Sequence, residues 1–130
     1  MIQEDYVSFE VAKLLKEKGF DEKCRSYYFG SSGRYSRCAL EIKTNDFRDG
    51  EILRPTHQMA CKWLREVHHY IIEIHYGNVG SPIEPEPEIQ WWWELENKQG
   101  EFLEGNITDG NTTYEEAVEA ACLYVLKNLI

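Results

Sequence analysis

Residues 88–97, EIQWWWELEN, alternate between apolar and polar side chains, and this alternation limits the folds open to the chain. Successive side chains of an extended strand point to opposite faces of its sheet. One face of this segment is uniformly apolar and carries Ile89, Trp91, Trp93 and Leu95. The opposite face carries Trp92 among glutamine and glutamate side chains. We therefore expect Trp91 and Trp93 to be buried in a core, and Trp92 to lie on a polar face as a candidate contact residue.

Three amphipathic segments can cover this apolar face as helices. Their N-caps are expected at Ser8, Thr56 and Thr113, each of which precedes apolar residues at helical spacing. Gly19 supplies a stop for the first helix, and Glu116 has the spacing of a capping box with Thr113. The apolar stripes predicted to be buried in the second and third helices consist of Met59, Ala60, Trp63, Leu64 and Val67, and of Tyr114, Ala117, Val118, Ala121, Tyr124, Val125 and Leu129.

Several β-prone segments separate the helices. They are residues 23–29, 36–43, 70–76, 88–97 and 101–107. Residues 44–55 are polar and rich in turn-forming residues, so we expect a loop there. Short connections between neighbouring strands imply antiparallel pairing. The predicted order is α-β-β-α-β-β-(β)-α, and the predicted fold is a single α+β domain over residues 1–130, in which an antiparallel sheet of four to five strands forms one layer and three helices form the other.

The net charge of −9 is concentrated in the C-terminal part of the chain. Residues 1–76 carry equal numbers of acidic and basic side chains, whereas residues 77–130 carry 11 acidic residues and only Lys98 and Lys127 as basic ones. Phosphate binding requires clustered lysine and arginine, so this distribution disfavours nucleic acid and anionic lipid as partners. We expect instead a protein partner, with a basic protein or a second copy of the chain as the two options.

The polar face of the predicted sheet is the first candidate for a functional site. If the helices cover one side of the sheet, the other side presents several aromatic residues, which favours a contact surface over a face that meets only water. The candidate interaction surface consists of Tyr27, Phe29, Glu73, His75, Trp92 and Glu94. We predict that either this surface or the acidic segment 84–104 contacts the partner.

The sequence offers little for metal binding or catalysis. Glu66 and His69 lie three residues apart near a helix end, but this pair does not have the spacing of a known metal site. The same holds for Glu73 and His75, which share one face of a strand. The four cysteines are Cys24, Cys38, Cys61 and Cys122, without a CxxC pair. We expect them to be small buried residues, and we predict no metal, no cofactor and no catalytic residue.

A second class of function is an acidic inhibitor that mimics nucleic acid. Such a protein presents spaced carboxylates to the basic groove of a nucleic-acid enzyme. The carboxylates available for an acidic edge are Glu84, Glu86, Glu88, Glu94, Glu96, Glu101 and Glu104. An enzyme or a metal-binding protein is the third class, and a pocket of converging histidine, cysteine and glutamate side chains would favour it.

The three predicted helices also carry a resemblance to a known family. The stretches YVSFEVAKLLKEKGF, PTHQMACKWLREVH and TYEEAVEAACLYVLKNLI, at residues 6–20, 55–68 and 113–130, cover 47 of the 130 residues. They resemble a recurrent family of small uncharacterised proteins from gut Bacteroides and their phages or mobile elements. The resemblance implies a cytoplasmic accessory protein of mobile-element origin, and such an origin favours a protein that binds a host component. It assigns no site residue because no activity is known for the family.

The expected location is the cytoplasm. The first ten residues contain no basic segment followed by an apolar run, so we expect no secretory signal. No apolar run approaches the length of about 20 residues that spans a bilayer. The function predicted from the sequence is therefore that of a small cytoplasmic, non-catalytic protein-interaction module.

Overall fold

The computed structural model describes residues 2–29, 33–42, 50–83 and 85–130, and for residues 38–42 it describes the backbone alone. Within these residues, helices and strands follow one another in the order α1 (Phe9–Glu17), β1 (Cys24–Phe29), β2 (Arg34–Ile42), β3 (Ile52–Leu53), α2 (His57–His68), β4 (Ile71–Asn78), β5 (Ile89–Glu96), β6 (Phe102–Gly105) and α3 (Tyr114–Asn128). The predicted α+β class is confirmed. No helix in this part of the chain combines the length and the apolar character needed to cross a membrane.

Each helix begins where the sequence predicts, because a hydroxyl side chain caps its N-terminus. Ser8, Thr56 and Thr113 each accept a hydrogen bond from the backbone N–H three residues later, at 3.1–3.2 Å. Gly19 follows the end of α1 with a φ of 94°, a left-handed conformation that favours glycine. The predicted N-caps and the predicted glycine stop are confirmed.

The capping box of α3 differs from the prediction in one hydrogen bond. The carboxylate of Glu116 accepts hydrogen bonds from the backbone N–H and the hydroxyl of Thr112, at 3.1 and 2.6 Å, whereas a capping box would join it chiefly to the N–H of Thr113. These two bonds lower the pKa of Glu116. The acidic side chain therefore fixes the loop that leads into α3, one residue before the position that a capping box specifies.

The strands form two antiparallel sheets of three strands each, and the prediction of one sheet of four to five strands is wrong. The first sheet has the order β2-β1-β3, and the second has the order β4-β5-β6. β3 lies in the segment predicted to be a loop, of which residues 44–49 are outside the described ones. It pairs with Tyr27 and Tyr28 of β1. β3 therefore occupies the edge of β1 opposite β2, and the three C-terminal strands pair only with one another among the described residues.

The helices join the two sheets into one hydrophobic core. Helix α3 packs on β4 and β5, α1 packs against α3 and β3, and α2 packs against α3 and β4. Both sheets and all three helices contribute to the core, whose largest fully buried side chains include Val7, Val11, Leu15, Leu64, Leu95, Val125 and Leu126. The second sheet therefore has one face toward the helices and one face away from them.

Strand β5 divides its tryptophans between these two faces. Trp93 is only 5% exposed and Leu95 is fully buried, whereas Trp92 is partly exposed on the opposite face. The predicted alternation is confirmed for these residues. Trp91, predicted to be a core residue, is only partly buried.

The inner face becomes exposed toward the start of β5. Ile89, which was predicted to belong to the apolar face, is exposed, and Tyr76 beside Trp91 is 61% exposed. Tyr114, the first residue of α3, contacts Trp91 with ring centroids 5.5 Å apart. Helix α3 therefore covers the inner face of the second sheet only as far as Trp91. Tyr114 itself is exposed for the same reason, so its predicted burial is wrong.

Val67 is a second exposed member of a predicted apolar stripe. It lies in the last turn of α2, which ends at His68. The middle of the same stripe, at Ala60, Trp63 and Leu64, is buried as predicted. The exposed member therefore lies at the end of the helix, while Met59 at the start of the stripe is partly buried against the core.

Candidate functional site

The outer face of β4 and β5 brings together four of the six residues predicted to form an interaction surface. The strand register places Glu73 opposite Glu94, and His75 opposite Trp92. Directly opposed residues of an antiparallel pair project from the same face, and so do residues two apart along one strand. These four side chains therefore form one patch, which we call the outer-face cluster.

His75 lies between the two carboxylates of this cluster. Its Nε2 atom is 3.4 Å from Oε2 of Glu73 and 3.2 Å from Oε2 of Glu94. Between 31% and 41% of each of these three side chains is exposed. Like charges directly opposite each other destabilise a strand pair. The imidazole therefore separates two groups that would otherwise repel each other.

Trp92 is held in place on three sides. Its ring stacks on the imidazole of His75, with centroids 5.4 Å apart and an interplanar angle of 16°. Its indole N–H donates to Oε1 of Glu94 at 3.4 Å. The ring also lies over Gly77, where an added Cβ would be 3.5 Å from the indole. The cluster thus presents an ordered aromatic surface beside two carboxylates.

The acidic groups of this cluster have no lysine or arginine partner within the described residues. The ion-pair contacts of Glu73 and Glu94 are those with His75. The one lysine–carboxylate pair in the described part of the chain joins Lys127 to Glu10, on α3 and α1. The outer-face cluster therefore offers two carboxylates and an indole to a cation from outside the chain.

Tyr27 and Phe29, the other two residues of the predicted surface, belong to the first sheet. They lie partly exposed on β1, with ring centroids 6.1 Å apart. Because the strands form two sheets, the predicted surface is divided into two patches. Only the patch on the second sheet combines aromatic and acidic side chains from the prediction.

The acidic connector before β5 and the pair of Glu66 and His69 lie outside the outer-face cluster. Glu86 and Glu88 are exposed in the connector before β5, while Glu84 is outside the described residues. His69 ends α2 in a left-handed conformation with a φ of 64° and is exposed, as is Glu66. Neither belongs to a three-residue group that could hold a metal in the part of the chain that the structure describes.

A second cluster, centred on Glu119, is missing from the sequence prediction. Oε1 of Glu119 accepts a hydrogen bond from the backbone N–H of Ser8 at 2.7 Å and lies 2.9 Å from Nε2 of His57. Burial alone would raise the pKa of Glu119, but the hydrogen bonds from His57 and Ser8 outweigh burial, and the pKa is lowered. Glu119 thus joins α3 to the N-terminal ends of α1 and α2.

Cys61 lies one helical turn after His57, beside the same cluster. Both residues line a groove of about 490 Å³ together with Arg65. The hydrogen bond with the thiol of Cys122 lowers the pKa of Cys61, and the charges of His57 and Arg65 act in the same direction against the effect of burial. That hydrogen bond and burial raise the pKa of Cys122.

The cysteines agree with the prediction of small buried residues only in part. Cys24 and Cys122 are buried, but Cys61 is partly exposed. The side chain of Cys38 is outside the described ones. Nothing in the local sequence marks Cys61, because Cys122, whose thiol it contacts, lies on α3 and meets α2 only in the folded chain.

No protein-family model matches this chain, and no curated protein or solved structure matches it either. We therefore infer function from the two clusters themselves. The carboxylate of Glu119 is already bound by groups of the protein, whereas the carboxylates of Glu73 and Glu94 face outward beside an ordered indole. The outer-face cluster is the candidate functional site.

Proposed function

We propose that this chain is a non-catalytic protein-interaction module that binds a cationic segment of a partner protein through the outer-face cluster. The observation that carries the proposal is the pairing of two carboxylates with an ordered indole on one strand face, without a lysine or arginine partner among the described residues. A lysine or arginine side chain can bind both carboxylates and also contact the face of the indole.

The charge distribution supports a basic partner. Residues 77–130 carry the whole net charge of −9, and β5 lies within this part of the chain. A surface with a concentrated negative field accelerates its encounter with a positive partner and repels nucleic acid. The outer-face cluster would then supply the short-range contacts that select among basic partners.

In this proposal the protein acts in the cytoplasm as an accessory factor of a mobile element. The resemblance of its three helices supports such an origin. The thiols of Cys61 and Cys122 lie beside each other without a disulfide bond, which suits a reducing compartment.

The test compares two double variants of equal charge with a single cationic probe. We expect Glu73→Gln with Glu94→Gln to weaken binding of a labelled peptide of alternating lysine and glycine by about tenfold, since exposed ion pairs each contribute up to about 1 kcal/mol. Glu86→Gln with Glu88→Gln removes the same charge from the exposed connector and should weaken binding far less. Fluorescence anisotropy of the peptide measures both affinities.

Substitution of Trp92 tests the same binding site independently of its charge. Trp92→Ala removes a cation–π contact and should weaken peptide binding by about threefold. Phe102→Ala, which removes an exposed ring from β6, is the matched control. If both double variants weaken binding equally and Trp92→Ala has no effect, only general acidity attracts the peptide, and the acidic-mimic class becomes the better explanation.

A further inference from the structure

We propose that Glu73, His75 and Glu94 together bind one divalent transition-metal ion, for which Zn²⁺ is the best match. Within the described part of the chain, these residues are the one group of three histidine, cysteine or acidic residues arranged in this way, and their donor atoms all lie within 4.8 Å of one another. The ion site is a property of the outer-face cluster that is independent of the proposed interaction, because an ion can bind there without a partner protein. It departs from the sequence prediction that no metal binds.

The donor distances match those of ligands around a common ion. Ligands about 2.0–2.2 Å from a tetrahedral Zn²⁺ stand about 3.3–3.5 Å from one another. Nε2 of His75 is 3.4 Å from the nearer oxygen of Glu73 and 3.2 Å from that of Glu94. Both distances from the imidazole nitrogen to a carboxylate oxygen therefore suit coordination of one ion, and all three donor atoms lie within 4.8 Å of one another.

The imidazole nitrogen also lacks a better partner. Nε2 of His75 is withdrawn from solvent and makes no well-directed hydrogen bond to a protein group in the described part of the chain. The two carboxylate oxygens are close to this nitrogen, but neither forms a hydrogen bond with it. Buried polar atoms are normally satisfied, and a neutral imidazole nitrogen is a common metal ligand. An ion between the three groups would satisfy this atom.

Neighbouring groups hold the ligands in this arrangement. Trp92 stacks on His75 and restricts the orientation of the imidazole ring. The indole N–H of Trp92 binds Oε1 of Glu94, whereas Oε2 is the oxygen that faces His75. Hydrogen bonds to the remote atom of a ligand orient the coordinating atom, so Trp92 is a positioning residue for the ion. The paired strands β4 and β5 supply a rigid base.

The donor set selects the class of ion. One imidazole and two carboxylates suit Zn²⁺, whereas Ca²⁺ takes six to eight oxygen ligands and Mg²⁺ retains most of its water. Three protein ligands leave one tetrahedral position open at this exposed face. Water or a donor atom from another molecule would fill that position.

The ion would also regulate the proposed interaction. Zn²⁺ neutralises the two carboxylates that attract a cationic segment, so the ion and the peptide should compete. This competition rests on the proposed function, but the binding of the ion does not. A peptide titration in the presence of a chelator therefore tests the interaction alone, and a titration of Zn²⁺ without peptide tests the ion site alone.

The test is calorimetric titration of ZnCl₂ into the reduced, chelator-treated protein in a non-coordinating buffer. We expect one ion per chain. His75→Ala should weaken binding by about 100-fold or more, since loss of even an outer-shell partner costs about 10–100-fold. Glu94→Gln preserves the shape of the ligand and should also weaken binding strongly. Circular dichroism confirms that each variant is folded.

Two control variants locate the ion. His69→Asn removes an exposed histidine outside the site with a residue that tolerates the left-handed backbone there, and Cys61→Ser removes a partly exposed thiol. Both should bind Zn²⁺ as the unmodified protein does. The proposal is overturned if the unmodified protein binds no stoichiometric ion, if folded His75→Ala and Glu94→Gln bind it unchanged, or if Cys61→Ser is the variant that loses it.

Discussion

Trp93→Ala should lower the free energy of unfolding by about 3–5 kcal/mol, the range found when a large aromatic side chain is truncated in a core. Trp93 is only 5% exposed, and its ring packs on Tyr124 of α3 with centroids 5.2 Å apart. Alanine would leave a cavity between β5 and α3 that neither element can close without moving. Urea denaturation, followed by circular dichroism, measures the loss.

The neighbouring tryptophan is the matched control for this experiment. Trp92→Ala should cost only about 1 kcal/mol, the magnitude expected for one cross-strand aromatic contact on an outer face. The two variants remove the same side chain from adjacent positions of one strand, so intrinsic strand preference cancels in the comparison. Equal losses for Trp92→Ala and Trp93→Ala would mean that the assignment of the two faces is wrong.

Glu119→Gln should lower the free energy of unfolding by about 2–3 kcal/mol at neutral pH. The carboxylate accepts a hydrogen bond from Ser8 and contacts His57, and hydrogen bonds to a charged group contribute about 1.5–3 kcal/mol. Glutamine keeps the shape of the side chain but removes its charge. Glu115→Gln, four residues earlier on α3, removes an equal charge from the first turn and should cost at most about 1 kcal/mol.

The effect of Glu119→Gln should depend on pH in a defined direction. Because the pKa of Glu119 is lower in the folded protein than its ordinary value of 4.5, the charged carboxylate stabilises the fold fully above pH 4.5. This contribution is lost as the pH falls below 4.5 and through the lowered pKa of the folded state. Urea denaturation at pH 7 and at successively lower pH should show the difference between the two proteins shrinking. A difference that grows on acidification would contradict the assigned role of Glu119.

The parts of the fold that follow from local chemistry were predictable from the sequence. A serine or threonine before an apolar stripe predicts an N-cap, because its hydroxyl can accept a hydrogen bond from a free backbone N–H of the first turn. Ser8, Thr56 and Thr113 all cap helices in this way. The alternation in β5 separates Trp92 from Trp93 because the strand period is fixed at two residues. These rules act over a few residues, so one sequence is enough to apply them.

The parts that depend on long-range packing were not predictable in the same way. A strand of two residues, such as Ile52–Leu53, is too short to show an alternation of apolar and polar side chains. The sequence therefore predicts neither β3 nor the division of the strands into two sheets. Glu119 contacts Ser8 and His57 across 111 and 62 positions of the chain, and no local pattern marks such a contact. Whether Trp91 and Tyr114 are buried likewise depends on how much of the second sheet α3 covers. That coverage is set by the way in which the helix crosses the sheet.

The candidate site was predictable from the sequence in part. The period of each strand placed Glu73 with His75, and Trp92 with Glu94, on polar faces. Only the register of β4 against β5 sets the two pairs side by side, and a shift of one residue would separate them. The sequence therefore predicted the members of the outer-face cluster but not the convergence of the two carboxylates on the Nε2 atom of His75.

The most direct test is a two-dimensional nitrogen–proton NMR spectrum that resolves the indole N–H signals of the four tryptophans during titration with the lysine–glycine peptide. The variants Trp92→Phe and Trp93→Phe identify the two relevant signals. We predict that the Trp92 signal shifts with added peptide while the Trp93 signal stays in place. A shift of the Trp93 signal with an unchanged Trp92 signal would contradict binding at the outer-face cluster.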